Sequence, residues 1–433
     1  MTGLQQAVQL FQAGRFADAE NLLRGLLKSS PKHPGALFLQ GNCFAQRGAW
    51  GDAVSAFENA IAFSPNFLDA RLDLARLYTQ MGRTEDAETC LRGAIAGAPG
   101  SAIAHTALGL MLFKASRLAE AEGAFREAAH LEPTQPLAHK NLGDAIWSQG
   151  RQMEAIDHHA EAVQYWQGSP NDEFFSHVWQ VLTTMGQQAR ALLIAQKWLQ
   201  LNPNDAVALH CAAASRGDTP SRASDGYVTE MFDQFAQSFD EQLAAVDYQG
   251  PALVTEALRR VNPQCAAAGL DAGCGTGLCA PLLRPLASRL IGVDLSPKML
   301  QLARERGGHD ELVEQELTSY LQAHPNCFDW IVSADTFLYF GNLKALVQAA
   351  MQTLFPGGHL IFTVERATTP SPFALLPEGR YCHSPGYITA VLAEAGFELL
   401  FLEARPIRNE NSRTITALVA TARKPTVSAC GVA

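Results

Sequence analysis

The first 168 residues repeat with a period of about 34, and that constrains the fold more than any other feature. One column reads Gly41, Ala75, Gly109 and Gly143, with Ala7 in register upstream. A second reads Phe44, Tyr78, Leu112 and Ile146 after Leu10. Gly14, Gly48, Gly82, Ser116 and Gly150 mark a turn, Ala19, Ala53, Ala87, Ala121 and Ala155 follow it, and Pro31, Pro65, Pro99 and Pro133 close each copy. Small residues let two helices approach, and the apolar column Leu23, Phe57, Leu91, Phe125, with His159 in the fifth copy, fills the groove between them. Glycine ends the first helix and proline the second. One such pair cannot bury its own face, so pairs stack into a superhelix. After a short insertion, Gly168 to Asp172, a degenerate sixth copy keeps Leu182, Gly186, Ala191 and Pro203 in order.

The remaining chain has another grammar. Residues Ala206 to Ser215 read as a capping helix and Arg216 to Gly226 as a polar linker. Met231, Phe232, Phe235, Phe239 and Leu243 then fall on one helical face, either a helix stapled to the next domain or a lid over its ligand. Beyond it, apolar strand-like runs alternate with helical patterns. The strands are expected at Gly269 to Ala272, Leu290 to Asp294, Leu312 to Glu316, Phe328 to Ala334 and Gly358 to Glu365. The helices between them are expected at Gly277 to Ala287, Pro297 to Arg306, Thr318 to Ala323 and Asn342 to Leu354. That alternation predicts a mainly parallel sheet covered on both faces. A helix at Ser384 to Ala395 and strands at Glu398 to Glu403 and Ser412 to Thr421, with no helix between the two strands, predict an antiparallel end.

Composition narrows the partners. A formal net charge of -10 argues against a general nucleic-acid or anionic-membrane surface. The nine cysteines, Cys265 and Cys430 among them, form no Cys-x-x-Cys pair, which favours reduced thiols and a cytoplasmic setting. No stretch approaches 18 continuous apolar residues and no signal peptide is expected. No His and carboxylate cluster with metal-ligand spacing is visible along the chain.

The chemistry centres on Leu270-Asp271-Ala272-Gly273-Cys274-Gly275-Thr276-Gly277, a strand running into a glycine turn. Backbone without Cβ lets a ligand come close. The third glycine comes one residue early for the dinucleotide pattern, and there is no P-loop. The next strand ends in Asp294, where parallel α/β sheets hold ribose hydroxyls. Two bland readings stand beside these: Asp271 as a turn cap, and Asp294 as a cap for the helix that Ser296-Pro297 opens.

Four motifs in order, Asp271 to Gly277, Gly292 to Met299, Phe328 to Asp335 and Leu354 to Leu360, resemble those of class I S-adenosylmethionine-dependent methyltransferases. The repeats resemble the tetratricopeptide family. The whole chain is similar to bacterial methyltransferases with an N-terminal repeat array. The resemblance implies an all-α tetratricopeptide superhelix over residues 1–205, a cap and linker over 206–226, a Rossmann-like α/β domain over 227–424 and a tail over 425–433. It implies S-adenosylmethionine as cofactor. Asp271, Gly273, Cys274, Gly275 and Gly277 would line its methionine part, Asp294 its ribose, and Leu295, Met299, Glu316 and Leu317 its adenine. Asp335 follows the fourth strand at the mouth of the cleft.

A sulfonium methyl is already activated, so the protein mainly aligns donor and acceptor. His383, with Tyr381, Tyr339 and Asp335, is the candidate for substrate-side acid-base work, and His383 can equally be a loop residue before a helix. Ala334-Asp335-Thr336-Phe337 lacks the signature used for amide or adenine nitrogen. The acceptor is then a protein or carrier-bound group held by the concave face of the repeats, or a small molecule with the repeats recruiting a partner. A catalytically silent scaffold and a plain spacer are the competing readings.

Overall fold

The computed structural model describes residues 2–261, 267–368, 370–410 and 413–426. Cys265, Cys430, Ser412 and most of the expected tail lie outside the described residues. The chain divides into two compact units, Met1–Gly168 and Ser169–Ala433.

The first unit is five antiparallel helix pairs: α1 (Gly3–Gln12) with α2 (Phe16–Ser29), α3 (Pro34–Gln46) with α4 (Trp50–Phe63), α5 (Leu68–Gln80) with α6 (Thr84–Gly97), α7 (Ala102–Lys114) with α8 (Leu118–Leu131), and α9 (Pro136–Trp147) with α10 (Gln152–Tyr165). The turn column adopts left-handed backbone in every copy, with φ between 59° at Ser116 and 81° at Gly150. The small column is what lets the pairs close. A Cβ built at Gly109 would lie 2.5 Å from the Phe125 ring, and one at Gly41 2.7 Å from Phe57. Phe57 and Phe125 are almost fully buried by that approach. Each contributes about 1.5–3 kcal/mol of burial, so the pairs are held by packing rather than by helix propensity. The arginine after the turn also spans neighbouring pairs: Arg117 reaches Glu88 at 2.5 Å and Arg151 reaches Glu122 at 2.7 Å.

The second unit opens with α11 (Asp172–Thr184), α12 (Gln188–Leu201) and α13 (Ala206–Arg216). The degenerate sixth repeat and its cap therefore fold with the second unit, whereas the sequence pattern suggests a boundary near residue 205. The aromatic segment breaks into α14 (Asp225–Phe235), a 3-10 turn and α15 (Phe239–Ala245), and α16 (Gly250–Val261) leads into the sheet.

The sheet holds β1 (Ala267–Ala272), β2 (Ala287–Asp294), β3 (Glu311–Glu314), β4 (Phe328–Ser333), β5 (Leu354–Arg366), β6 (Phe373–Leu375), β7 (Tyr381–His383), β8 (Glu398–Glu410) and β9 (Arg413–Arg423). Strands run in the order β3-β2-β1-β4-β5-β7-β6, and β5 also carries β9, which carries β8. The β1, β2, β3, β4, β5 and β7 pairings are parallel, while β6–β7, β5–β9 and β8–β9 are antiparallel. Alternation puts Ile331, Leu360, Phe362 and Val364 on one face, under α19 (Leu317–Ala323), α20 (Lys344–Thr353) and α21 (Pro385–Glu394). Trp330, Val332 and Ile361 face α16 and the short α17 (Ala280–Leu283) on the other. The eleven-residue helix expected after the glycine turn is reduced to α17 and one 3-10 turn, because Pro285 removes a backbone donor. The second crossover helix is α18 (Pro297–Arg306), started by Ser296, whose Oγ accepts from Met299 N–H at 3.1 Å.

The small column yields a test. Gly109→Ala should destabilise the first unit by about 1–3 kcal/mol, because Phe125 must leave its rotamer. Gly123→Ala, at a helical position with nothing within 4 Å, should be neutral or stabilising by about 1 kcal/mol. Chemical denaturation followed by circular dichroism distinguishes the two; equal effects would show that the column does not govern pair closure.

Candidate functional site

The carboxyl ends of β1, β2 and β4 open onto a cavity of about 350 Å³. Its floor is the turn after β1. Gly273, Gly275 and Gly277 have φ of 76°, 53° and 81°, a backbone region closed to most side chains. A Cβ at Gly273 would strike Thr336 Oγ1 at 2.0 Å, while one at Gly275 would point into open space with only Phe239 at 4.0 Å. Gly275 thus leaves a cradle facing the cavity. Asp294 lies across it, half-buried, with Oδ2 accepting from Gly275 N–H and Oδ1 from Ser296 N–H, each at 2.9 Å. Each oxygen keeps a lone pair for another donor. Burial pushes its carboxyl above the usual range, against the pull of those backbone donors. Leu295, Leu317, Cys274 and Gln315 complete this end.

The aromatic segment covers the turn. Asp233 accepts from Ser296 Oγ at 2.5 Å, and Asp240 accepts from Thr276 Oγ1 at 2.6 Å and pairs with Arg306. Phe232 packs edge-on to Phe239 and Tyr339, with ring centres 5.8 and 5.3 Å apart. Phe232, Phe239, Gln242 and Leu243 line the cavity. The segment is both stapled to the domain and part of the cavity wall.

The far end is charged, and little of it was expected from the sequence. Asp335 sits in left-handed backbone at φ 55°, with Thr363 Oγ1 donating to Oδ1 and Arg408 donating to Oδ2, both at 2.8 Å. Arg408 also donates to Glu365 at 2.8 Å and Glu410 at 2.7 Å. Arg380 joins through Glu410 at 2.9 Å. Asp335, Tyr339, Arg380, Arg408, Glu410 and Tyr248 reach the cavity, and Glu365 backs the two guanidinium groups. Burial raises the Asp335 and Glu365 carboxyls above their ordinary range, with Arg408 and Arg380 opposing it. Arg408, Glu410 and Tyr248 carry no sequence signal: a β8 residue meets β4 and β5 only through the antiparallel register around β9.

Several expected residues stand elsewhere. His383 does not face the cavity. It is fully buried in β7, its Nε2 donates to Gly341 O at 3.0 Å, and its ring stacks on Tyr387. Tyr381 is likewise buried, two residues along the same strand. Neither the substrate-side role nor the loop alternative for His383 holds: residues 381–383 form a short strand paired parallel to β5. The Glu316 carboxylate is spent as the cap of α19, accepting from Thr318 N–H, Ser319 N–H, Ser319 Oγ and Arg222 at 2.8–3.0 Å. Four contacts fill its acceptor sites, so the adenine contact does not fit it, although the residue borders the cavity. Asp271 is buried against His309, with Oδ2 to Nε2 3.0 Å, and is absent from the cavity wall, as are Gly277 and Met299.

The segment 216–226 is not a free linker. Ser221 O accepts from Gly341 and Asn342 N–H at 3.0 and 2.8 Å, and Ala223 N–H donates to Tyr339 O at 2.8 Å, so it is laced to the loop after β4. The degenerate repeat contributes too. Gln180 of α11 lines the cavity. His210 of α13 stacks on Tyr227 with centres 3.8 Å apart and donates from Nε2 to Gly379 O at 2.8 Å. Gly379 has φ 84°, and a Cβ there would lie 2.9 Å from Tyr227 Oη. His210 and Tyr227 therefore seat the β6–β7 turn whose next residue is Arg380.

Comparison with known proteins agrees with this architecture. Residues 270–362 match the family model of a methyltransferase domain, and residues 4–66 and 44–110 match tetratricopeptide repeat models. A ubiquinone biosynthesis O-methyltransferase from Xanthomonas euvesicatoria is 28% identical over 239 residues, 48% of this chain and 99% of that protein. Among solved structures, a MamA segment from Desulfovibrio magneticus is 21% identical, covering 37% of this chain and 91% of its own, at a TM-score of 0.34. A Burkholderia thailandensis 1,6-didemethyltoxoflavin-N1-methyltransferase is also 21% identical, covering 48% and 93%, at a TM-score of 0.39. The chain carries tetratricopeptide repeats and a methyltransferase domain. The Gly275 cradle and the spare acceptor capacity of Asp294 fit the S-adenosylmethionine expected from the sequence motifs. Among the described residues no helix is long and apolar enough to cross a membrane.

The buried His383 makes a pH prediction. Burial lowers its pKa from 6.5 to about 4, so the folded protein holds it neutral while the unfolded chain takes up a proton near 6.5. Its contribution is fully present above pH 6.5 and is lost as pH falls toward 4, by about 3 kcal/mol in all. His383→Gln, which keeps a donor for Gly341 O, should flatten the stability profile between pH 6.5 and 4 without changing methyl transfer at pH 8. Urea unfolding at several pH values reads the slope, and an unchanged slope would place the proton uptake elsewhere.

Proposed function

We propose that the protein transfers a methyl group from S-adenosylmethionine to an acceptor hydroxyl seated between Tyr339, Tyr248 and Asp335, with Asp335 taking the proton. The observation that carries this is Asp335 itself: a carboxylate at the end of β4, in the cavity, in left-handed backbone, with its pKa raised by burial. Strained backbone that the surroundings hold in place is common where geometry serves a reaction. The name of the Xanthomonas relative supports an oxygen acceptor.

The bound cofactor supplies a methyl group already activated on sulfonium. The chain's own residues do the remaining work. Gly273 and Gly275 admit the ligand to the turn, Asp294 accepts from the ribose hydroxyls, and Leu295 and Leu317 border the adenine. Phe232 and Phe239 exclude water from the transfer line. Arg408 and Thr363 hold the Asp335 carboxylate, and Tyr339 and Tyr248 flank the acceptor. Holding two reactants in line is where most of the acceleration arises in such a site. The repeats, in this reading, bind a protein partner that carries or delivers the acceptor, because stacked helix pairs make an extended concave surface. A small acceptor entering without a carrier is the second reading, favoured by the enclosed cavity under the aromatic cover.

Asp294→Ala should abolish S-adenosylmethionine binding in calorimetry; binding as tight as wild type would refute the cofactor placement. Asp335→Asn should keep cofactor binding and lower turnover by about 10²–10⁴-fold, the usual worth of a positioned base. In the wild type, turnover should fall as the pH drops below the raised pKa of Asp335, and the variant should lose that limb. The acceptor is found by incubating labelled donor with cell lysate and separating protein from small molecules. Label that enters both equally from a chain lacking residues 1–168 would remove the repeats from acceptor delivery.

A further inference from the structure

The last regular repeat holds a cluster that, among the described residues, no preceding copy forms. His139 on α9 and His158 and Glu161 on α10 bring three ligand atoms within 4.8 Å of one another. We propose that these three side chains bind a divalent transition-metal ion, zinc by its chemistry, which clasps α9 to α10.

Arg71 Nε donates to Pro65 O at 2.9 Å, and His105 Nε2 and His139 Nε2 reach Pro99 O and Pro133 O at 3.2 and 2.8 Å. The same position in three copies closes its helix pair onto the preceding proline. A carbonyl only accepts, so Nε2 carries a proton, and in the neutral ring Nδ1 offers its lone pair. That is the outer-sphere arrangement seen for metal-bound imidazole, where the far nitrogen donates to a carbonyl.

His139 is only 8% exposed, and its Nδ1 has no hydrogen-bond partner among the described residues. Glu161 Oε2 lies 2.9 Å from it, and the same oxygen lies 3.3 Å from His158 Nδ1. A carboxylate and an imidazole lone pair at that distance need a proton or a metal ion between them, and a metal ion engages His158 as well. Ligand atoms on a tetrahedral zinc with bonds of about 2.0–2.1 Å are spaced by roughly 3.3 Å, close to what the apo side chains show. Two imidazoles and one carboxylate are borderline ligands suited to Zn²⁺, Ni²⁺ or Cu²⁺ rather than Mg²⁺ or Ca²⁺. Glu161 is exposed, which leaves a path for entry and a fourth position for water.

The cluster crosses two helices, which is why no spacing in the sequence announces it. One period upstream, Glu127 matches Glu161 and His105 matches His139, but Ala124 stands where His158 does. The neighbouring copy therefore supplies a substitution that its own helix pair tolerates.

Zn²⁺ titrated calorimetrically into the metal-stripped full chain should bind one equivalent at this site. His158→Ala should weaken it at least tenfold while leaving the thermal midpoint of the metal-free protein unchanged, and His105→Ala should leave binding unchanged. Co²⁺ should give a d–d spectrum without thiolate charge transfer, which separates the site from the cysteines. No binding, affinity unaffected by His158→Ala, or a thiolate spectrum would overturn the proposal; a doubly protonated His139 seen by nitrogen NMR in the presence of Zn²⁺ would do the same.

Discussion

Arg408 is the interaction on which the site depends. Only 5% exposed, it gives its three guanidinium nitrogens to Asp335 after β4, Glu365 on β5 and Glu410 beyond it on β8. Removing a buried charge that has three partners leaves carboxylates unpaired in a dry place, which costs far more than the pair contributes net. The cluster counts two guanidinium groups, Arg380 and Arg408, against three carboxylates. One negative charge is left over, and a proton that cancels it goes first to the groups whose pKa burial raises, Asp335 and Glu365. Of these only Asp335 reaches the cavity. The clamp therefore fixes both the position of the proposed base and its affinity for a proton.

The fold was legible where its causes are local. Small residues at one column, aromatics at another and glycine at the turn state the helix-pair geometry within each repeat, and the structure places Gly109 against Phe125 accordingly. The same holds for the glycine turn after β1 and for Asp294, because a tight turn and a strand tip are set by neighbours in sequence. The acceptor end was not legible, because its residues meet through register. Arg408 reaches Asp335 only because β9 runs antiparallel to β5 and carries β8 alongside. His383 and Glu316 look functional by type and position, yet one is consumed inside β7 and the other as a helix cap. A carboxylate or imidazole is read correctly only when its hydrogen-bond partners are known.

The boundary between repeat and catalytic domain shows the same limit. Sequence similarity runs from the fifth copy into the sixth, but α11 to α13 belong to the unit that holds the sheet. Three contacts explain why. Gln180 lines the cavity, His210 holds Gly379 through its carbonyl, and Ser221 to Ala223 pair with the loop after β4. Burial lowers the pKa of His210, so the imidazole stays neutral and serves as a donor rather than a charge. The sixth pair has thus kept the repeat's backbone pattern while its side chains took a catalytic domain as their partner. Its drift from the repeat consensus has a physical cause: positions that elsewhere meet another helix pair here meet Tyr227, Gly379 and a cavity. A degenerate repeat next to an α/β domain is then better read as a wall of that domain than as the worn end of the array.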